Sequence, residues 1–240
     1  MRRPGEPGGQ SPVSNNLPPI SRRAMLLAAG ATAAGASFTV GPAFAQRKGG
    51  ADADVTELMK AGNLPDLTIG AADAKVTVVE YASMTCGHCA NFHKKVFPAL
   101  KTKYVDTGKV RFIFREFPLD DLAAAASMLS RCAGGGTDVS KSFDLTSILF
   151  EKQEDWAFAK GNPVPKLFEI AKQAGFTQES FDKCLTDQKL LEQITATRER
   201  GSKTFSVSST PTFFINGKRL AEGPSVEAFE KAFDSILKAS

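Results

Sequence analysis

The spacing of apolar positions changes several times along this chain, and each change predicts a different element. Val76-Thr77-Val78-Val79-Glu80-Tyr81 is an apolar, β-branched run that predicts a buried strand over Lys75–Ala82. From Ala90 to Lys101 the apolar residues recur at helical spacing, with Pro98 expected to kink the helix and Thr107-Gly108 to close it. Val110-Arg111-Phe112-Ile113-Phe114-Arg115-Glu116-Phe117 then alternates as a strand until Pro118. Together these form one β-α-β unit, expected to be parallel. Leu67-Thr68-Ile69 is a candidate first strand, turned into the next by Gly70–Asp73.

From Asp120 to about Thr204 the pattern becomes helical throughout, with segments at Leu122–Ala133, Ser142–Glu151, Pro165–Ala174, Gln178–Cys184 and Leu190–Thr204. Gly134-Gly135-Gly136, Gly161-Asn162-Pro163 and Gly175 separate them. The β pattern returns at Pro211-Thr212-Phe213-Phe214-Ile215, and Asn216-Gly217 is a hairpin turn answered by Lys218-Arg219-Leu220. Ser225 caps a last amphipathic helix over Val226–Lys238. The expected architecture is one α/β layered domain interrupted by a helical insertion over about residues 120–204.

The first 45 residues are set apart from that domain. Up to about Pro19 they are rich in Pro, Gly, Ser and Asn. Arg22-Arg23 then precedes an Ala- and Gly-rich apolar run that ends at Ala43-Phe44-Ala45, a small-x-small pattern. This is the pattern of an export signal of twin-arginine type, cleaved near Ala45–Gln46. An ordinary secretory signal or an uncleaved anchor are the alternatives. Residues 46–64 are polar and are expected to form a flexible arm with a short helical pattern at Val55–Met59. The leader holds Arg2, Arg3, Arg22, Arg23 and Glu6, so it carries +3 of the formal net charge of +4. The remainder is nearly neutral, and nothing global points to nucleic acid.

The chemistry is concentrated in Cys86-Gly87-His88-Cys89, which lies between the predicted strand and the predicted helix. A cysteine at a helix start meets unpaired backbone N–H groups and the positive end of the macrodipole, and both stabilise a thiolate. Cys89 lies within the first turn, in reach of a disulfide, so the pair is a candidate dithiol redox site. The competing use of these residue types is zinc, with Cys86, Cys89, His88 and His93 as ligands. Their packing into two helical turns keeps His88 from the metal that the cysteines would share. For an exported chain the four cysteines invite pairing. Cys132 and Cys184, both in the insertion, are candidates for a structural bridge, two separate buried thiols, or a second redox pair. Lys94-Lys95 and the charge-rich stretch 192–200 are expected to be solvated helix faces.

The strand with Glu80, the Cys-Gly-His-Cys helix start, the helical insertion, and Thr210-Pro211 before a hairpin and helix resemble the DsbA-like family of exported thiol:disulfide oxidoreductases. The resemblance covers about Pro65 to the C-terminus. It implies a thioredoxin-like fold, a central mixed sheet flanked by helices with an inserted all-helical subdomain. It makes Cys86 the nucleophile and Cys89 its less exposed partner, with no cofactor or metal beyond their disulfide. It implies that His88 tunes Cys86 and that Glu80 is a buried acid able to shuttle the Cys89 proton; a solvent-facing glutamate is the alternative. His93 stands where the best-known enzymes carry another glutamate. Pro211 becomes a candidate cis-proline, leaving the Thr210 backbone free for an extended substrate. Thr210 itself replaces the valine of those enzymes and matches the disulfide isomerases DsbC and DsbG. The expected function is a monomeric periplasmic enzyme that introduces disulfides into unfolded or partly folded exported proteins and is reoxidised by a DsbB-like membrane oxidase. An isomerase or reductase, in which the arm serves as a short oligomerisation helix, is the alternative; a non-catalytic metal-binding module is a further one.

Overall fold

A computed structural model describes residues 50–238; the leader expected over 1–45 lies outside the described residues. Its centre is a mixed five-stranded sheet. Strands β1 (Leu67–Ile69), β2 (Val76–Ala82), β3 (Val110–Glu116), β4 (Thr212–Ile215) and β5 (Lys218–Arg219) lie in the order β1-β3-β2-β4-β5. β2 and β3 run parallel, with Glu80 opposite Phe114, while β1 and β4 flank them antiparallel. The Asn216-Gly217 turn takes positive φ at both positions (46° and 82°), as a two-residue hairpin requires. Asn216 also bonds β2: its Oδ1 accepts from Thr77 N–H at 2.7 Å.

Because β2 is central, both of its faces are buried and its apolar run is continuous. Val76, Val78 and Ala82 face one core with Phe112, Phe114, Phe213 and Phe92; Val79 and Tyr81 face a second core with Ile113, Phe205 and Phe214. The period of two puts Glu80 with the first group, beneath the helix that follows β2. That helix, α2 (Gly87–Lys95), is interrupted at Val96 and resumes as α3 (Phe97–Leu100) and a wide turn over Lys101–Val105. Pro98, in the first turn of α3, has no N–H to continue the ladder, which accounts for the break.

Between β3 and β4 the chain is helical, as the period predicts. The helices are α4 (Asp121–Cys132), α5 (Val139–Glu151), α6 (Gln153–Trp156), α7 (Val164–Gln173), α8 (Gln178–Leu185) and α9 (Gln188–Phe205). Asp120, Asp138, Thr177 and Asp187 cap four of them with side-chain oxygens. The closing helix α10 (Val226–Leu237) is capped by Ser225. α6 has no counterpart in the sequence reading, being a single turn too short to show a period.

The arm carries the short helix expected at Val55–Met59, and that helix packs on the domain. Helix α1 (Val55–Met59) lays Leu58, 2% exposed, into the second core beside Tyr81 and Phe214. Arg115 Nη2 donates to the Leu58 carbonyl at 2.9 Å and Arg200 Nη1 to that of Lys60 at 2.8 Å, while Ala53 N–H reaches Gly217 O at 2.8 Å. A single apolar side chain in a polar stretch is a weak signal, yet here the buried Arg115 and the half-buried Arg200 satisfy the backbone around it. Among the described residues no helix is long and apolar enough to cross a membrane.

Candidate active site

Cys86 is the N-cap of α2, with extended backbone (φ −82°, ψ 117°) and no side-chain cap of its own. Its half-buried thiol points across to the start of β4, donating to the Thr210 carbonyl at 3.3 Å. The Thr210–Pro211 peptide bond is cis. Next to Cys86, a methyl built on Gly87 would meet nothing within 4 Å, so the chain beside the nucleophile faces open space.

The two cysteines are free thiols held in opposite electrostatic situations. Cys86 is lowered to about 5, chiefly by the hydrogen bond from the Cys89 thiol, then by the Thr210 side chain and the backbone N–H groups of Cys89 and His88, against the opposing effect of burial. The Thr210 hydroxyl oxygen is buried with no partner while Cys86 is a thiol, so it has a donor to offer once the sulfur is charged. Cys89, fully buried, is pushed well above the ordinary thiol value by burial, by its bond to Cys86 and by the charge of Glu80. Of the two, only Cys86 is a ready nucleophile.

Glu80 is 0% exposed, buried beneath α2 rather than turned to solvent. Its Oε2 lies 2.9 Å from His93 Nε2, and its Oε1 has no hydrogen-bond partner among the described residues. His88 is exposed; what it contributes toward Cys86 is its backbone N–H. The two histidines therefore do not converge, one in solvent and the other under the helix. Among the described residues no group of three or more His, Cys, Asp or Glu side chains is disposed to hold a metal ion. Cys132 and Cys184 are joined by a disulfide within the insertion, Cα–Cα 6.2 Å apart.

The site thus gathers Cys86, Cys89, Glu80, Thr210 and Pro211, with His88 at its rim and the second cysteine pair elsewhere. It also includes Gln153, which the sequence reading passed over. Gln153, 2% exposed, donates from Nε2 to the carbonyls of Met84 (2.7 Å) and Cys86 (3.0 Å), tying the insertion to the loop that carries the nucleophile. Asp120 adds a second tie, capping α4 through one oxygen and accepting from the Thr85 hydroxyl at 2.7 Å through the other.

Residues 63–235 match the family described as Thioredoxin. A Rickettsia bellii protein that carries the name of a protein-disulfide oxidoreductase is 35% identical over 176 residues, which are 73% of this chain and 66% of the relative. The chain therefore spans just under two thirds of that relative's length. Among solved structures, Wolbachia pipientis alpha-DsbA1 is similar at 29% identity with a TM-score of 0.69, covering 78% of this chain and 97% of that one. Bacillus subtilis BdbD in its oxidised form shares the fold at 22% identity, TM-score 0.65, over 79% of this chain and 97% of the other.

Proposed function

The chain belongs to the thioredoxin family, and from that premise we propose that it is a thiol:disulfide oxidoreductase that donates disulfides to exported proteins. In this reading a substrate thiolate attacks the Cys86 sulfur of the Cys86–Cys89 disulfide. The S–S bond breaks, its electron pair leaves on Cys89, and Cys89 takes up a proton. A second substrate thiolate then attacks the substrate sulfur of the mixed disulfide, and Cys86 departs as a thiolate. The protein gains the two electrons that the substrate loses, so no cofactor enters. An unfolded substrate segment would run beside Thr210 and Pro211, next to the sulfur it reacts with. Recharging falls to a membrane oxidase of the DsbB kind, and the leader would deliver the chain to the periplasm.

The observation that carries this reading is the depression of Cys86 to about 5 beside a buried partner pushed the other way. A leaving group stabilised as thiolate favours the reduced enzyme, which is what makes a disulfide a donor. The test is equilibration with glutathione redox buffers, the Cys86–Cys89 state being read at peptide level by mass after alkylation. A potential of about −120 to −180 mV is expected, and one near about −270 mV, the thioredoxin range, would overturn the donor role. For export, the expected mature N-terminus in a periplasmic fraction is Gln46; an intact leader in the cytoplasm would contradict it.

A further inference from the structure

His93 is a buried ionisable group that the exchange steps above do not use. It lies one helical turn beyond Cys89 on α2, so both side chains descend the same face toward Glu80. Its side chain is 3% exposed, and its ring is boxed by aromatics. It stacks on Phe150 at 4.3 Å with 13° between planes and meets Phe92 and Phe114 edge-on at 5.2 and 6.0 Å. In that apolar box Nε2 reaches Glu80 Oε2 at 2.9 Å.

The two Glu80 oxygens are therefore unequal. Oε2 is engaged, while Oε1, equally buried, has no hydrogen-bond partner among the described residues. A buried, unpartnered oxygen is costly unless it serves something. Cys89, 0% exposed and one turn before His93 on the same face of α2, is the thiol that face buries above Glu80. It feels the Glu80 charge, although the two are not hydrogen-bonded at rest. With the imidazole proton on Nε2, the bond to Oε2 is kept whether Glu80 is a carboxylate or a carboxylic acid. The proton that comes and goes is then confined to Oε1.

We infer that His93 is a positioning residue for the proton step, holding Glu80 by Oε2 so that Oε1 alone exchanges a proton with Cys89. The inference rests on the proposed exchange chemistry and on Glu80 as its proton carrier. When a mixed disulfide is resolved by the enzyme, the Cys89 S–H bond breaks and an O–H bond forms on Oε1. The Cys89 thiolate attacks the Cys86 sulfur, the Cys86–Cys89 bond forms, and the outgoing thiolate takes the electron pair of the broken S–S bond. In disulfide donation the same proton returns from Oε1 to Cys89.

Dithiobis(nitrobenzoate) separates the two thiols in time. The reduced full chain releases one coloured thiolate when Cys86 attacks the reagent and a second when Cys89 resolves the adduct. His93→Phe keeps an aromatic ring in the box and deletes the donor; it is expected to leave the first release unchanged and slow the second about tenfold or more. His93→Gln, which returns an N–H near the Nε2 position, should restore the second release to within about threefold. Phe150→Leu loosens the packing around His93 but keeps the donor, and it too should stay within about threefold. A second release of wild-type speed in His93→Phe overturns the inference. So does an equal slowing in Phe150→Leu, or a failure of His93→Gln to recover any rate, since packing would then be the cause. Glu80→Gln tells the two readings apart. If it fails to slow the second release, Glu80 is no proton carrier and the underlying reading falls; if it slows the release while His93→Phe does not, only the role of His93 falls.

Discussion

The chain carries two cysteine pairs, and their settings are opposite. Cys86 and Cys89 are three positions apart at the start of α2 and are free thiols; Cys132 and Cys184 are 52 positions apart and joined. The ends of the helices account for much of the contrast. Cys86 is an N-cap, so backbone N–H groups converge on its sulfur and the dipole favours charge there. Cys132 is the last residue of α4 and Cys184 the next-to-last of α8, where unpaired carbonyls and the negative dipole end oppose a thiolate. One pair gains by being reduced. The other gains by staying closed, since its bond removes a long loop from the unfolded ensemble.

The largest effects should separate the pairs outright. Cys86→Ser is expected to bring exchange to background, while Cys89→Ser should still form mixed disulfides at Cys86 and fail to release them, giving covalent adducts visible on non-reducing gels. Below pH 5, where Cys86 carries no charge, neither change should lower the denaturant midpoint of the reduced protein much. The double variant Cys132→Ser, Cys184→Ser should do the reverse, losing about 4 kcal/mol of stability in the loop-entropy account while the folded protein reacts at Cys86 at its normal rate. A fall in Cys86 reactivity in that variant would mean that the pairs communicate.

Gln153 is the path such communication would take. It bonds the carbonyls of Met84 and Cys86 from the insertion; removing it leaves the buried Met84 carbonyl without that donor, while the part-buried Cys86 carbonyl keeps the Ala90 N–H. Gln153→Leu is expected to cost roughly 2 kcal/mol in chemical denaturation. It should also change Cys86 alkylation rates, which the bridge variant leaves alone. Equal rates in Gln153→Leu and the parent would show that the loop holds its geometry without the insertion.

How much of this the sequence discloses follows from the range of each interaction. The strand before Cys86, the Asn216-Gly217 turn and the Ser225 cap depend on neighbours within a few positions, and pattern and turn chemistry find them. The placement of Cys86 at a helix start is equally local. Gln153 meets Met84 and Cys86 across nearly 70 positions, and nothing within α6 marks it as other than a surface polar residue. His93 offers a partial signal, its spacing of four from Cys89 putting it on the buried face. Its bond to Glu80 depends on α2 crossing β2 at that height, which sequence spacing does not determine. Leu58 carries even less: one leucine docked by Arg115 and Arg200 from distant elements.

The smallest expected effect concerns a single hydroxyl. Cys86 is lowered from the ordinary thiol value of 9.0 to about 5, so in the reduced protein its contribution to stability is complete above pH 9 and is lost as pH falls through 5. The Cys132–Cys184 bridge has no such titration, and thermal melts of reduced against oxidised enzyme should differ increasingly as pH rises across that window. Thr210→Val tests one cause of the depression. The Thr210 carbonyl that accepts from the thiol is unchanged, and the hydroxyl being removed has no partner until the sulfur is charged. Valine should therefore leave stability below pH 5 intact and raise the midpoint of Cys86 alkylation by about one pH unit, the worth of one hydrogen bond to a partly exposed thiolate. An unmoved midpoint would assign the depression to Cys89 and the backbone of α2 alone. The contrast between the two pairs would then rest on which helix end each occupies, with β4 adding nothing.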